Sequence, residues 1–139
     1  MNLVDSWTEH RIAAACAFIR DRLEADFAGT DLPPIEFRTD PTPENVTVVC
    51  GGHEFPLWLD SGVEGACSYA AYQLQDDVMG EHNRPWPELL DSEGRSVGVL
   101  ESPVDAPGVA AWHLRGEPFC AVGQLHPACA AAGLTIKTG

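Results

Sequence analysis

"VTVVCGGHEFPLWL", residues 46–59, decides how this chain is read. Two runs of β-branched, aromatic and apolar residues flank Gly51-Gly52. A glycine pair in that setting signals a two-residue hairpin, because both central positions of the favoured turn need positive φ. The turn fixes the register. Cys50 falls opposite His53, Val48 opposite Phe55 and Val46 opposite Leu57, all on one face, the core face. Thr47, Val49, Glu54, Pro56 and Trp58 take the other face. Pro56 has no N–H to give to a ladder, so the second strand is expected at a sheet edge.

The same stretch admits a second reading. Residues flanking a tight hairpin turn have Cβ atoms about 5 Å apart, close enough for a thiolate and an imidazole to share a zinc ion at about 2.3 and 2.0 Å. His126-Pro127-Ala128-Cys129 offers a matching half, so Cys50, His53, His126 and Cys129 form a candidate Cys2His2 site. Against it, residues 54–125 separate the halves, far more than zinc pairs usually leave between them. The competing expectation needs no cofactor: a buried thiol at the hairpin end with an imidazole beside it.

Outward from the hairpin, the pattern alternates between helix and strand. On the N-terminal side, Ile12, Cys16, Ile19, Leu23 and Phe27 form one apolar stripe at helical spacing. Ser6 and Glu9 frame it as a capping box, and Gly29 supplies a left-handed stop. Ile35 and Phe37 alternate with Glu36 and Arg38 as a short strand, followed by the loop "DPTPEN". On the C-terminal side, Ser61 and Glu64 suggest a second capping box. Val63, Cys67, Ala70, Leu74 and Val78 form the stripe of that helix, with Gly80, Asn83 and Pro85 ending it. "RPWPELLDSEGR" (84–95) reads as a loop. Val97 and Val99, "VAAWHL" (109–114) and "FCAVGQL" (119–125) read as strands, the last two joined by a turn at Arg115-Gly116. The Ala-rich tail from His126 to Gly139 fits one short helix. The order helix, three strands, helix, two or three strands defines a single α+β domain spanning 1–139, with helices packed on antiparallel sheet.

Composition narrows the function classes. With 21 acidic against 8 basic residues in 139, the formal net charge is −13. Such a field repels phosphate backbones and anionic headgroups, which argues against nucleic-acid and membrane partners. No apolar run approaches the roughly 18 residues that a spanning helix needs. The start of the chain lacks a secretory pattern, and five cysteines without framework spacing point to reduced thiols. A cytoplasmic setting is the expectation. Seven of the eight basic residues are Arg and Ala is abundant, a bias typical of high-GC bacteria.

Two surface features stand out. Asp76, Asp77 and Glu81 crowd the end of the second helix, where carboxylates oppose the helix dipole and Asp77 repels Glu81 four residues on. They suggest a cation site or a contact with a basic partner, or else a solvated face relieved by Arg84, three residues after Glu81. Trp58, off the apolar face, and Trp86, between two prolines, are candidate partner anchors. The alternative is that a helix covers Trp58 and that Trp86 plugs a gap in the loop. No nucleophile elbow, phosphate loop, dinucleotide fingerprint or zinc-protease motif occurs. A small enzyme would have to rest on Cys120, with His113 or His126 beside it, or on Asp76 and Asp77 in a pocket.

"YQLQDDVMGEHNRPWPELLDSEGR…WHLRGEPFCAVGQL" is similar to small uncharacterised proteins of high-GC bacteria. In those proteins a Gln-Asp-rich helix leads through Trp-Pro into a ribbon-like hairpin bearing Cys-Pro and His. Here Leu89 and Leu90 stand where that resemblance implies a Cys, and His113 follows Trp112 where it implies a second, so its zinc ligands are missing. Element order, size and acidity also resemble the secretion-chaperone fold, a small acidic α+β dimer that binds segments of other proteins. The reading that follows is an acidic, cytoplasmic, non-catalytic domain, chaperone-like, inhibitory or accessory. It binds another protein, one of basic character, and is itself a candidate homodimer. A zinc-stabilised domain and a small enzyme are the alternatives.

Overall fold

The computed structural model describes residues 7–39, 45–104 and 108–138. They form an α+β fold of three helices and two antiparallel sheets. Helix α1 (Glu9–Phe27) leads into β1 (Ile35–Thr39), β2 (Asn45–Cys50) and β3 (His53–Trp58). One 3-10 turn at Leu59–Ser61 then opens α2 (Val63–His82). The second half holds β4 (Glu88–Leu90), β5 (Ser96–Glu101), β6 (Ala111–Leu114), β7 (Glu117–Ala121), α3 (Leu125–Ala132) and β8 (Thr135–Ile136). The first sheet runs β1-β2-β3 and the second β7-β6-β5-β4-β8.

The hairpin has the expected register: Cys50 pairs with His53, Val48 with Phe55 and Val46 with Leu57. All of these except His53 are buried. The apolar stripes of both helices are buried as well, apart from half-buried Val63. Helix α1 touches β1 of the first sheet, and its Asp26 reaches Trp112 in the second. Helix α2 packs on β3, and its Gln75 donates to the Leu100 carbonyl of β5. Each long helix therefore touches both sheets, and one contiguous cluster of buried residues runs through the fold.

Three local expectations need correction. Helix α1 is capped by Thr8, whose Oγ1 accepts the Arg11 N–H at 3.1 Å; Ser6 lies outside the described residues. Glu9 is then the first helical residue, placed to favour the helix dipole rather than to close a capping box. Glu64 is no capping-box partner either. Its carboxylate accepts both Arg22 Nη1 contacts, at 3.0 and 2.8 Å, and the Ala110 N–H at 2.8 Å. Finally, the stretch 84–95 is not all loop. Leu89 is fully buried between Gly98 of β5 and Ile136 of β8. A three-residue strand after Pro87 is too short to show an alternating pattern.

Asp26 carries the tightest constraint. Its carboxylate has no solvent exposure. It accepts the Trp112 indole N–H at 2.7 Å, the Gly123 N–H at 2.5 Å and the Leu125 N–H at 3.0 Å. Burial pushes its pKa above the ordinary aspartate value, while the three donors and the nearby His126 pull it back down. Beside it, Arg22 donates to the Val122 carbonyl at 2.8 Å as well as to Glu64. Position 123 favours glycine, with φ of +106°, which L side chains rarely adopt, and a Cβ there would crowd Arg22, 3.0 Å from its Cγ.

Asp26→Asn turns an N–H2 toward at least one of those donors and is expected to cost about 2–4 kcal/mol, read by denaturant unfolding. Because burial raises the folded-state pKa, folding takes up a proton. The wild type's advantage over the variant should be largest below the unfolded pKa of aspartate and shrink as pH rises through the folded value. An advantage that grows with pH would contradict this.

Candidate functional site

Two features meet along the line where β3 runs beside α2. At the hairpin turn, Gly51 has φ of +61°, and a Cβ there would lie 2.9 Å from Pro33 Cγ, so the turn closes tightly on the segment before β1. Beside it lies a cleft of about 290 Å³ lined by residues of the hairpin turn, the segment 31–33 and the end of α2. His53 Nδ1 and Asp77 Oδ2 are 2.5 Å apart on one wall, and His82 Nε2 stands 3.6 Å from Asp31 Oδ2 on the other. Glu81 also lines this cleft. Asp77 is half-buried, whereas Asp76 and Glu81 are exposed.

The zinc set is not assembled. Cys50 and His53 lie at the hairpin turn, with the Cys50 thiol donating to the Pro33 carbonyl at 3.2 Å. His126 and Cys129 lie on α3, where His126 Nε2 donates to the Asp26 carbonyl at 3.2 Å. Among the described residues, no group of three or more His, Cys, Asp or Glu side chains could hold a metal ion.

The thiols are poorly suited to nucleophilic chemistry. Burial, with the charge of Asp77 adding to it, pushes Cys50 up to about 11. Burial pushes Cys67 and Cys120 up to about 12, and for Cys120 the charge of Asp26 adds to this. The nucleophile is the thiolate, and at neutral pH these three groups are protonated.

The tryptophans part company. Trp86 is only 6% exposed. Its ring centroid is 4.8 Å from Phe27 and 6.1 Å from Trp112, and its carbonyl accepts the Gln75 Nε2–H at 2.9 Å. The expectation that it anchors a partner is therefore corrected: flanking prolines turn it into the core. Trp58 is 53% exposed, on the face of β3 that also carries Glu54 and Pro56. Its ring lies 5.6 Å from that of Tyr69 on α2. Tyr72, 46% exposed, follows one turn on, and Asp76 one turn after that. Tyr69, Tyr72 and Asp76 share a helix face by their spacing, so an aromatic surface passes into an acidic one.

The edge of the sheet behaves differently from its face. Among the described residues strand β3 has one neighbour, β2, as Pro56 implied. A two-residue turn closes on the hydrogen-bonded pair Cys50–His53, and pair types alternate from there. Glu54, Pro56 and Trp58 therefore turn their backbone groups outward. Pro56 removes the middle donor of that free edge, which discourages another strand from adding to it. The side-chain surface is what remains for docking.

Sequence reasoning missed Tyr69 and Tyr72. Both sit off the apolar stripe of α2, at a spacing of three, and that was the available signal. It also paired Arg84 with the acidic helix end. Among the described residues Arg84 makes no ion pair, and its guanidinium makes no hydrogen bond. Comparison with protein-family models, curated proteins and solved structures found no match. Among the described residues, no helix is long and apolar enough to cross a membrane.

In folded protein at neutral pH, Cys50, Cys67 and Cys120 should react with iodoacetamide at least a hundredfold more slowly than in denaturant, since a thiol of pKa about 11 is roughly 0.01% thiolate there. Peptide mass spectrometry after timed quenching reads this. Labelling of native Cys50 at the denatured rate would refute the assigned environment.

Proposed function

We propose that this chain is an acidic protein-binding domain, acting in the cytoplasm, whose docking surface is the aromatic face of Trp58, Tyr69 and Tyr72. The observation that carries the reading is Trp58: a tryptophan more than half exposed, steadied by a neighbouring ring and set at an edge where Pro56 discourages strand addition. Large, rigid aromatics contribute strongly to binding because they bury much area at little entropic cost. Asp76 and Glu81 beyond the tyrosines, and Asp60 and Glu54 near the tryptophan, are exposed. The partner is accordingly a segment with apolar and basic side chains, whose Arg or Lys can stack on the rings or meet the carboxylates. The net charge of −13 draws such a segment in. A second copy of the chain could use the same face, as a homodimer.

A binding role fits better than thiol-based catalysis, since four of the five cysteines are buried. The alternative, a small enzyme, draws on the His53–Asp77 pair. Asp77 engages Nδ1, and Nε2 makes no hydrogen bond among the described residues. That leaves an imidazole able to act as a base at the cleft.

The test is selection of short peptides from a random display library, followed by fluorescence titration of the best binders. Binders should combine aromatic or aliphatic with basic residues. Trp58→Ala should weaken them at least tenfold, about 1.4 kcal/mol, while thermal stability changes little. Binders unaffected by Trp58→Ala would reject this surface. A loss of dimer mass in sedimentation on the same substitution would assign the face to self-association.

A further inference from the structure

We propose that the grooves around the end of α2 form a binding site for a small zwitterion, a molecule carrying a free ammonium and a free carboxylate. This site is separate from the aromatic face and stands without it. A second cleft of about 370 Å³ neighbours the one at the hairpin turn, the two sharing Asp31, Val78 and His82 as lining. Their charges differ in sign. The first is walled by Asp77 and Glu81 as well as Asp31 and has no Arg or Lys. Arg84 and Lys137 line the second.

Arg84 is the informative residue. Acidic side chains outnumber basic ones 21 to 8 in this chain, yet among the described residues this half-buried guanidinium has no carboxylate. Its planar fork of donors suits a carboxylate in two-pronged contact. Lys137 stands beside it, its Nζ held only loosely, 3.7 Å from Glu88. An anion brought to Arg84 would gain a pairing that the protein itself leaves unmade. On the other side, Asp77 and Glu81 lie on the last turns of α2, and Arg84 follows the helix by two residues. Acidic and basic side chains thus face neighbouring clefts within a short stretch of chain. Val78 and Trp86 give the second cleft an apolar wall for a side chain, and the walls lie on a helix end and the loops packed against it.

Glycyl-leucine is the probe, titrated into isotope-labelled protein and followed by amide NMR. Saturable binding is expected, with shifts at 31–32, 77–84 and 137–138. Acetylating the amine or amidating the carboxylate should each weaken it at least tenfold. Arg84→Gln should weaken glycyl-leucine at least tenfold yet leave the affinity for glycyl-leucinamide unchanged. Glu81→Gln should do the converse, leaving N-acetyl-glycyl-leucine unaffected. A merely structural role for either residue would move both ligands together and overturn the assignment. So would the absence of saturable binding in the millimolar range, or blocked dipeptides that bind as well as the free one.

Discussion

The buried carboxylate of Asp26 is the constraint on which the rest of the structure depends. It lies near the end of α1 and receives hydrogen bonds from β6, from the turn after β7 and from the start of α3. Three segments distant in sequence are thereby tied to one helix. An unpaired charge in such a place would cost several kcal/mol, so the donors cannot drift without exposing the cost. The neighbouring Arg22–Glu64 pair extends the same logic from α1 to α2. With both helices fixed, the hairpin and the loop ahead of β1 have one position to occupy, and the surface features at the end of α2 follow from it.

Within that frame the surface divides along α2. The first half of the helix meets Trp58 through Tyr69, the end meets the hairpin turn through Asp77, and Arg84 lies just beyond. From Tyr69 to Arg84, aromatic, acidic and basic character succeed one another over about four turns' length of chain. The thiols, which a chain with five cysteines invites one to inspect first, contribute little chemistry. Four of the five are buried, and burial, which sets the direction of their pKa shifts, also withholds them from reagents and metals.

How much of this was legible depended on whether neighbours in space are neighbours in sequence. The hairpin was readable to the residue, because a Gly-Gly turn leaves no freedom of register and Pro56 marks the edge. The two long helices were readable from their stripes. Strand β4 was not, since Leu89 is buried by Gly98 and Ile136, partners that no local pattern announces. Both capping boxes failed for related reasons: Thr8 competed locally with Ser6, and Glu64 had a stronger partner in Arg22, far away in the chain. Trp58 was placed on its correct face by period-two alternation, whereas the burial of Trp86 depended on Phe27 and Trp112. That Arg84 has no carboxylate partner among the described residues was invisible, because spacing offers Glu81 as a partner that the fold does not use.

The most direct test of the account is an amide NMR map of the protein with a saturating peptide taken from the display selection. The account predicts that the largest shifts fall on Leu57, Trp58 and residues 69–76, with the Trp58 indole N–H among the most perturbed. Shifts centred instead on the His53–Asp77 cleft, with those aromatic residues unmoved, would contradict it and move the function to the imidazole.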